Sequence, residues 1–190
     1  TNKCLGQKML RAFGAPQFLP KILALGVKRN VMELDEALFI EAIEKLKRKP
    51  SIHSLYSFNE YWLKSVGIPE SVVSFFNKYA FTSFAEFGRV SFSSPNEIKN
   101  ENTVEENQSL IANGLLIIGS GANGDPVVLD TQDGKVGFIS HDILWEEEGC
   151  DPREIFAKMD ETIGSFYRQA VNNPEFPVDY YQALDNGKSA

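Results

Sequence analysis

Residues 117–130 read IIGSGANGDPVVLD, and Gly119, Gly121 and Gly124 stand at the G-x-G-x-x-G spacing of a dinucleotide-binding fingerprint. In such a site a strand runs into the glycines and a helix leaves them. The free N–H groups and dipole at the helix N-terminus hold the pyrophosphate. Here the strand is present, but Gly124 is followed by Asp125, Pro126 and then VVLD, which is strand composition. Pro126 offers no N–H, and Asp125 sets a negative charge where a pyrophosphate would lie. The stretch therefore predicts a loop joining two strands of a meander, its glycines permitting positive φ and a tight crossing. Working outward, LLIIG at 115–119, PVVLD at 126–130 and KVGFIS at 135–140 are three neighbouring antiparallel strands, and Asp133-Gly134 turns the chain between the last two. Asp125 is expected to make a turn hydrogen bond worth about 1 kcal/mol.

The segments on either side read mostly as helices. Residues 33–48 place Leu34, Leu38, Ile43 and Leu46 on an apolar stripe, open on acids and close on Lys45, Lys47 and Arg48. Residues 57–67 read as a second helix, with Ser57 and Glu60 as a capping box and Gly67 as the C-terminal stop. IPESVVSFFNKYAF then predicts a third, with Pro69 in its first turn and Val72, Val73, Phe75, Phe76 and Tyr79 buried. A strand is expected at Gly88–Phe92. The polar run from 94 to 110 reads as a surface insertion with one helical or irregular excursion near 95–110. Residues 151–171 read as a closing helix capped by Asp151 and Pro152, with Ile155, Phe156, Met159, Ile163, Phe166 and Tyr167 on its apolar face. One short helix or strand is expected near Ile22–Leu25, and residues 173–190 read as a frayed tail.

The chain's 190 residues, 43% hydrophobic and 24% charged, fit one ordinary globular domain with an added arm. Fourteen phenylalanines supply core without metal or disulfide staples. Cys4 and Cys150 are far apart in sequence and read as thiols of a reducing compartment, hence a cytoplasmic protein. No run of 18 apolar residues is present, so no membrane span is expected. The first ten residues lack a signal peptide's apolar stretch. The chain opens on Thr1 rather than Met, which leaves room for preceding residues or a removed leader. The net charge of −7 is uneven: residues 1–95 hold 13 basic and 8 acidic side chains, and residues 96–190 hold 6 and 18. The negative half argues against nucleic acid and for a basic partner.

A search for catalytic chemistry finds little. Ser120 lacks a nucleophile elbow because Ile118 stands in place of its first glycine. His141 is expected at a strand end, its ring pointing away from its neighbour Asp142, and His53 in a loop. Asp125, Asp130 and Asp133 miss the alternating spacing of a calcium loop and are expected in turns and caps. Gly119, Gly121, Gly124, Asp125, Asp133 and Gly134 are thus structural turn residues, with no cofactor, metal or nucleotide. WEEEGCD at 145–151 is an acidic surface run. Trp145 reads more readily as a core aromatic than as an anchor for a partner.

The order of these elements resembles the SUKH superfamily, which includes yeast cell-wall synthesis regulators and many bacterial toxin-immunity proteins. The matching residues are Ile68-Pro69-Glu70, Ile118-Gly119, Gly124-Asp125, Val127 to Asp130, and Gly134, and the resemblance covers roughly residues 60–170. The chain departs from the pattern at KYAFTSF, which lacks a glycine, and at Phe138, where a Trp often stands. The resemblance implies an α+β fold, a mainly antiparallel sheet with flanking helices. The expected division is an N-terminal extension over 1–56 with its helix near 33–48, a SUKH-like domain over 57–172, and a tail over 173–190. It further implies a non-enzymatic binding protein, either an immunity protein neutralising a basic toxin domain or a regulatory module with no toxin partner. The oligomeric state stays open. For the partner surface the acidic run singles out Asp142, Trp145, Glu146, Glu147, Glu148 and Asp151.

Overall fold

The computed structural model describes residues 32–53, 55–146 and 149–187. The segment near Ile22–Leu25 and Cys4 lie outside them. The fold is α+β, with antiparallel sheets and flanking helices. No helix among the described residues is long and apolar enough to cross a membrane.

A four-stranded antiparallel sheet sits at the centre, in the order β5 (Leu115–Ser120), β6 (Pro126–Asp130), β7 (Lys135–Ile139), β8 (Phe156–Thr162). Ser120 pairs with Pro126 and Leu115 with Asp130, so residues 121–125 form the hairpin loop and no helix opens there. The three expected strands are neighbours, as the alternation predicted. Both faces of the sheet are covered. Leu116, Ile118, Val127, Leu129, Val136 and Phe138 point into the main core. Leu115, Ile117, Val128 and Ile139 point into a second, smaller cluster.

The main core lies between the sheet and α1 (Glu36–Glu44), α3 (Glu70–Lys78) and α7 (Ile163–Asn172). Phe39 of α1 is fully buried and touches the rings of Phe75, Tyr79, Phe81, Phe87, Phe92 and Tyr167. α1 lies against α7. At their junction Gly164 donates its N–H to the Leu34 carbonyl, and the Thr162 hydroxyl donates to the Asp35 carboxylate at 2.6 Å. α1 and α8 (Tyr180–Gly187) both lie outside the span 57–172, yet both bury side chains in the core: Phe39, Ala42, Tyr180 and Ala183.

Several elements differ from expectation. α1 stops at Glu44, which leaves Lys45, Lys47 and Arg48 beyond its end. α2 (Ser57–Ser65) has Tyr56 at its N-cap and no side-chain cap, and Glu60 pairs instead with Lys64. Its far end does close at Gly67, φ 82, where Ile68 N–H bonds to the Leu63 carbonyl and Gly67 N–H to Lys64. His53 is not in a loop: β1 (Ile52–His53) pairs with β2 (Ala80–Phe81). The strand expected at Gly88–Phe92 is the second arm of a hairpin, β3 (Ala85–Phe87) and β4 (Val90–Phe92), and Gly88 is its turn with φ 65.

The polar run is no loose insertion. It folds as α4 (Pro95–Thr103), a 3-10 turn (Glu105–Asn107) and α5 (Gln108–Ala112), and it buries Ile98, Asn102 and Leu110. Ser94 and Glu97 close a capping box on α4, with Pro95 at its start. Asn102 serves as a surrogate strand neighbour, taking the Ile117 N–H and donating to the Ile117 carbonyl, both at 2.9 Å.

The helix expected over 151–171 begins only at Ile163. Residues 156–162 are β8, because the open edge of β7 offers a ladder of hydrogen bonds that outweighs helix propensity. Thr162, not Asp151, caps α7, in a box with Ser165. The tail expected over 173–190 contains α8.

β4 passes so close to β5 that a Cβ added at Gly119 would lie 1.9 Å from the Ser91 carbonyl oxygen. At Gly124 there is open space but φ is 92. Gly119→Ala is expected to cost about 3 kcal/mol by overpacking, and Gly124→Ala about 1 kcal/mol by backbone strain. Urea unfolding of both variants checks the order, and a larger loss at Gly124 would contradict the close approach.

Candidate functional site

The loop at 121–125 engages its own N–H groups. Gly121 donates to the Asp125 carbonyl at 2.8 Å, Ala122 to the Val178 carbonyl at 2.9 Å and Gly124 to the Gly121 carbonyl at 3.2 Å. Asp125 N–H donates to the Asn123 side chain at 3.0 Å. A phosphate cradle needs such groups unpaired and converging. Gly121 is also needed for a close approach, since a Cβ there would lie 2.3 Å from the Val178 carbonyl oxygen.

The Asp125 carboxylate is buried, and four donors converge on it. One oxygen takes Tyr180 N–H at 3.0 Å and the Asn123 amide at 2.8 Å, and the other takes His141 N–H at 3.2 Å and His141 Nδ1 at 2.8 Å. Burial pushes the carboxyl pKa up, but the Tyr180 N–H, the Asn123 amide and His141 outweigh it and hold the group below its ordinary value. Asp125 thus latches the glycine loop to the start of α6 (His141–Glu146) and to the start of α8. Asp130 is likewise buried. Arg153 grips it with two N–H groups at 2.9 and 3.1 Å, Lys158 reaches it at 3.0 Å, and Gln132 N–H donates to it at 3.0 Å. Burial raises its pKa, yet Arg153, the Gln132 N–H and Lys158 together bring it down to about 2. Asp133 holds the next turn through Lys135 N–H and also contacts Lys158, and Gly134 adopts φ 80. Asp133 and Asp130 each accept an N–H two residues on, and Asp125 and Asp130 are in addition buried nodes that tie distant segments together.

His141 contacts Asp142 after all: Nε2 lies 3.1 Å from the Asp142 carboxylate while Nδ1 faces Asp125. Both ring nitrogens therefore face carboxylates. Among the described residues no group of three His, Cys, Asp or Glu side chains is arranged to hold a metal ion.

The acidic run forms a surface around Trp145. That residue is not in the core: it is 56% exposed. Its indole donates to Asn107 at 3.3 Å, and the His141 ring meets it edge-on at 5.3 Å. Asp142, Trp145 and Glu146 share α6, and Asp151 is exposed on the turn beyond it. Glu147 and Glu148 lie outside the described residues. The 3-10 turn packed against α6 adds exposed Glu105 and Glu106, which the sequence reading left in the polar insertion. The insertion carried no periodic signal to place them there. No Lys or Arg among the described residues pairs with Glu105, Glu106, Asp142 or Glu146. The Asp130 end of the sheet, by contrast, is matched by Arg153 and Lys158. The arrangement can present a fixed aromatic within an uncompensated negative field.

No family model, curated protein or solved structure matches the chain.

Asp125→Ala is expected to cost about 3 kcal/mol, because it strands several buried donors at once. It should also expose residues 173–187 to limited proteolysis before the sheet unfolds. A loss near the 1 kcal/mol of a simple turn bond would remove the latch. Asp130 sets a pH dependence. Its folded pKa of about 2 lies below the ordinary 3.8, so its contribution is complete above pH 4 and fades as pH falls toward 2. The shift corresponds to about 2 kcal/mol. In urea titrations at stepped pH, the stability gap between the wild type and Asp130→Asn should narrow across that window. A constant gap would assign the acid transition elsewhere.

Proposed function

We propose that this protein is a non-enzymatic, cytoplasmic binding domain of SUKH type that neutralises a basic toxin domain, docking it on the surface around Trp145. The observation that carries the reading is the exposed Trp145, held by Asn107 and His141 on a helix that also carries Asp142 and Glu146 and packs against Glu105 and Glu106, none of which meets a Lys or Arg among the described residues. Exposed aromatics that are already fixed in place lose little entropy on docking and anchor protein interfaces. Unpaired acids around such an anchor steer a cationic partner toward it and lose their mutual repulsion when it arrives. The negative field disfavours nucleic acid. The glycine loop, its N–H groups engaged and a buried carboxylate at its end, is poorly suited to a nucleotide. His141 Nδ1 is held by the buried Asp125, and its Nε2 faces the Asp142 carboxylate rather than a hydroxyl to be activated. The regulatory module without a toxin partner remains the alternative for the same surface, and the neighbouring gene separates the two.

If the adjacent reading frame encodes a toxin domain, co-expression with this chain should restore growth. Association measured against salt should be fast and strongly salt-dependent. Glu105, Glu106 and Glu146 changed together to Lys should slow association at least tenfold and flatten the salt slope. Trp145→Ala should instead speed dissociation. Circular dichroism should be unchanged, since exposed charges contribute little to stability. Protection that survives all four substitutions would move the interface off this surface.

A further inference from the structure

A cleft of about 550 Å³ runs between the end of α1 and the β3–β4 hairpin. Lys45, Lys47 and Arg48 line one side of it, and Phe84, Ala85 and Glu86 the other. No β4 residue lines it, so it follows the outer edge of β3. That edge is open. Phe87 and Val90 close a two-residue turn whose first residue, Gly88, has φ 65, so they form a hydrogen-bonded pair. Pairs alternate along an antiparallel ladder, and the next pair, Glu86 and Ser91, therefore turns its backbone groups outward. On the β4 side the Ser91 carbonyl accepts the Tyr167 hydroxyl at 3.0 Å. On the β3 side nothing among the described residues meets the Glu86 N–H or carbonyl. The cations across the cleft are open as well. Lys45 donates to the neutral Asn172 side chain, and no Asp or Glu among the described residues pairs with Lys45, Lys47 or Arg48.

We propose that this cleft binds an extended, acidic segment of a protein partner, added as a third strand on the outer edge of β3. Two observations select that occupant. An exposed edge with an N–H and a carbonyl to offer is met by extended polypeptide, which supplies the matching acceptor and donor. Three cations without counter-charges along the facing wall favour carboxylates on that polypeptide and steer it in. Phe84, 53% exposed beside the edge, gives an apolar side chain of the segment a surface to lie on. A nucleic acid strand would bring negative charge but no strand ladder, and the Glu86 carboxylate would stand against its phosphates. The chain's own residues 1–31 hold six Lys and Arg and no Asp or Glu, so they would add to the positive field rather than offset it. This surface is independent of the Trp145 patch, which suits a partner of the opposite charge, and its failure would leave that reading intact.

The test is a titration of the full chain with capped six-residue peptides, read by affinity and by solvent exchange of the Glu86 backbone amide. A peptide alternating Glu and Val should bind saturably, weaken as salt rises and slow exchange at Glu86. Its Lys-for-Glu counterpart should bind at least tenfold more weakly. Lys47→Glu with Arg48→Glu, both at exposed positions, should cost the acidic peptide at least tenfold. Glu86→Gln and Glu86→Pro both remove the carboxylate, but only the second removes the outward N–H. Glu86→Gln should bind as tightly as the wild type or more so, and Glu86→Pro should lose binding. Proline is tolerated on an edge strand where its missing N–H faces outward. The acidic peptide with N-methylated backbone amides should also fail to bind, which covers the case in which Glu86→Pro does not fold. Equal binding of the acidic and basic peptides, binding that survives N-methylation, or no saturable binding would each overturn the proposal. So would tighter binding of a six-nucleotide deoxythymidine strand, which would give the cleft to nucleic acid. Slowed exchange at Glu86 that follows protein concentration without peptide would overturn it too, giving the edge to a second copy of this chain.

Discussion

The Asp125 carboxylate constrains the candidate surface more than any other single group. It is buried and ionised, so the chain has to surround it with donors, and those donors come from Asn123 in its own loop and from the distant His141 and Tyr180. Each donor fixes an element. The Tyr180 bond sets the start of α8, and the Val178 carbonyl beside it takes the Ala122 N–H, so the last helix lies against the glycine loop. The two His141 bonds set the start of α6, from which Trp145 projects one turn later. A loop spelled like a nucleotide site is thus organised around an anion of its own. That resolves the ambiguity of the G-x-G-x-x-G spacing by charge as well as by topology.

The acids of the second half fall into two groups with different work to do. Asp130 and Asp133 lie against Arg153 and Lys158, and Asp160 against Lys135. Their charges are matched inside the fold, and the Asp130 pair ties the 151–155 turn to the end of β6. Among the described residues Glu105, Glu106 and Glu146 have no such neighbours and Asp142 meets only His141, so their field reaches solvent. Net charge alone could not separate the groups.

How much was legible follows the same division between local and distant causes. The three central strands were readable because alternation, glycine turns and Asp-Gly are local signals, and the buried face of α3 was readable from its period. The stripe read on α1 gave Leu38 and Ile43 the inward face and left out Phe39, the most heavily contacted ring of the core. Phe39 is buried by six aromatics from elsewhere in the chain, which no window of that helix contains. Residues 156–162 look helical by composition and form a strand because β7 has an edge to fill. Asn102 sits in a run of polar residues, and only its position beside Ile117 turns it into part of the sheet. Of the candidate surface, the acidic run was legible and the exposure of Trp145 was not. Its exposure follows from Asn107 and His141, which hold the ring where it stands, and neither bond is written in the local sequence.

The polar segment that reads as an insertion also links two ends of the domain. α4 begins beside α2, where Ser94 caps it and Asn96 meets Asn59. Just beyond its other end lies the 3-10 turn that carries Glu105, Glu106 and the Asn107 contact to Trp145. Its nine residues span about 13 Å at ~1.5 Å each. Ile98 and Asn102 pin its inner face to the core and to β5, so the spacing between its ends is rigid. The helix that looks least purposeful in the sequence therefore fixes the distance between the Asn59 end and the Trp145 end of the domain.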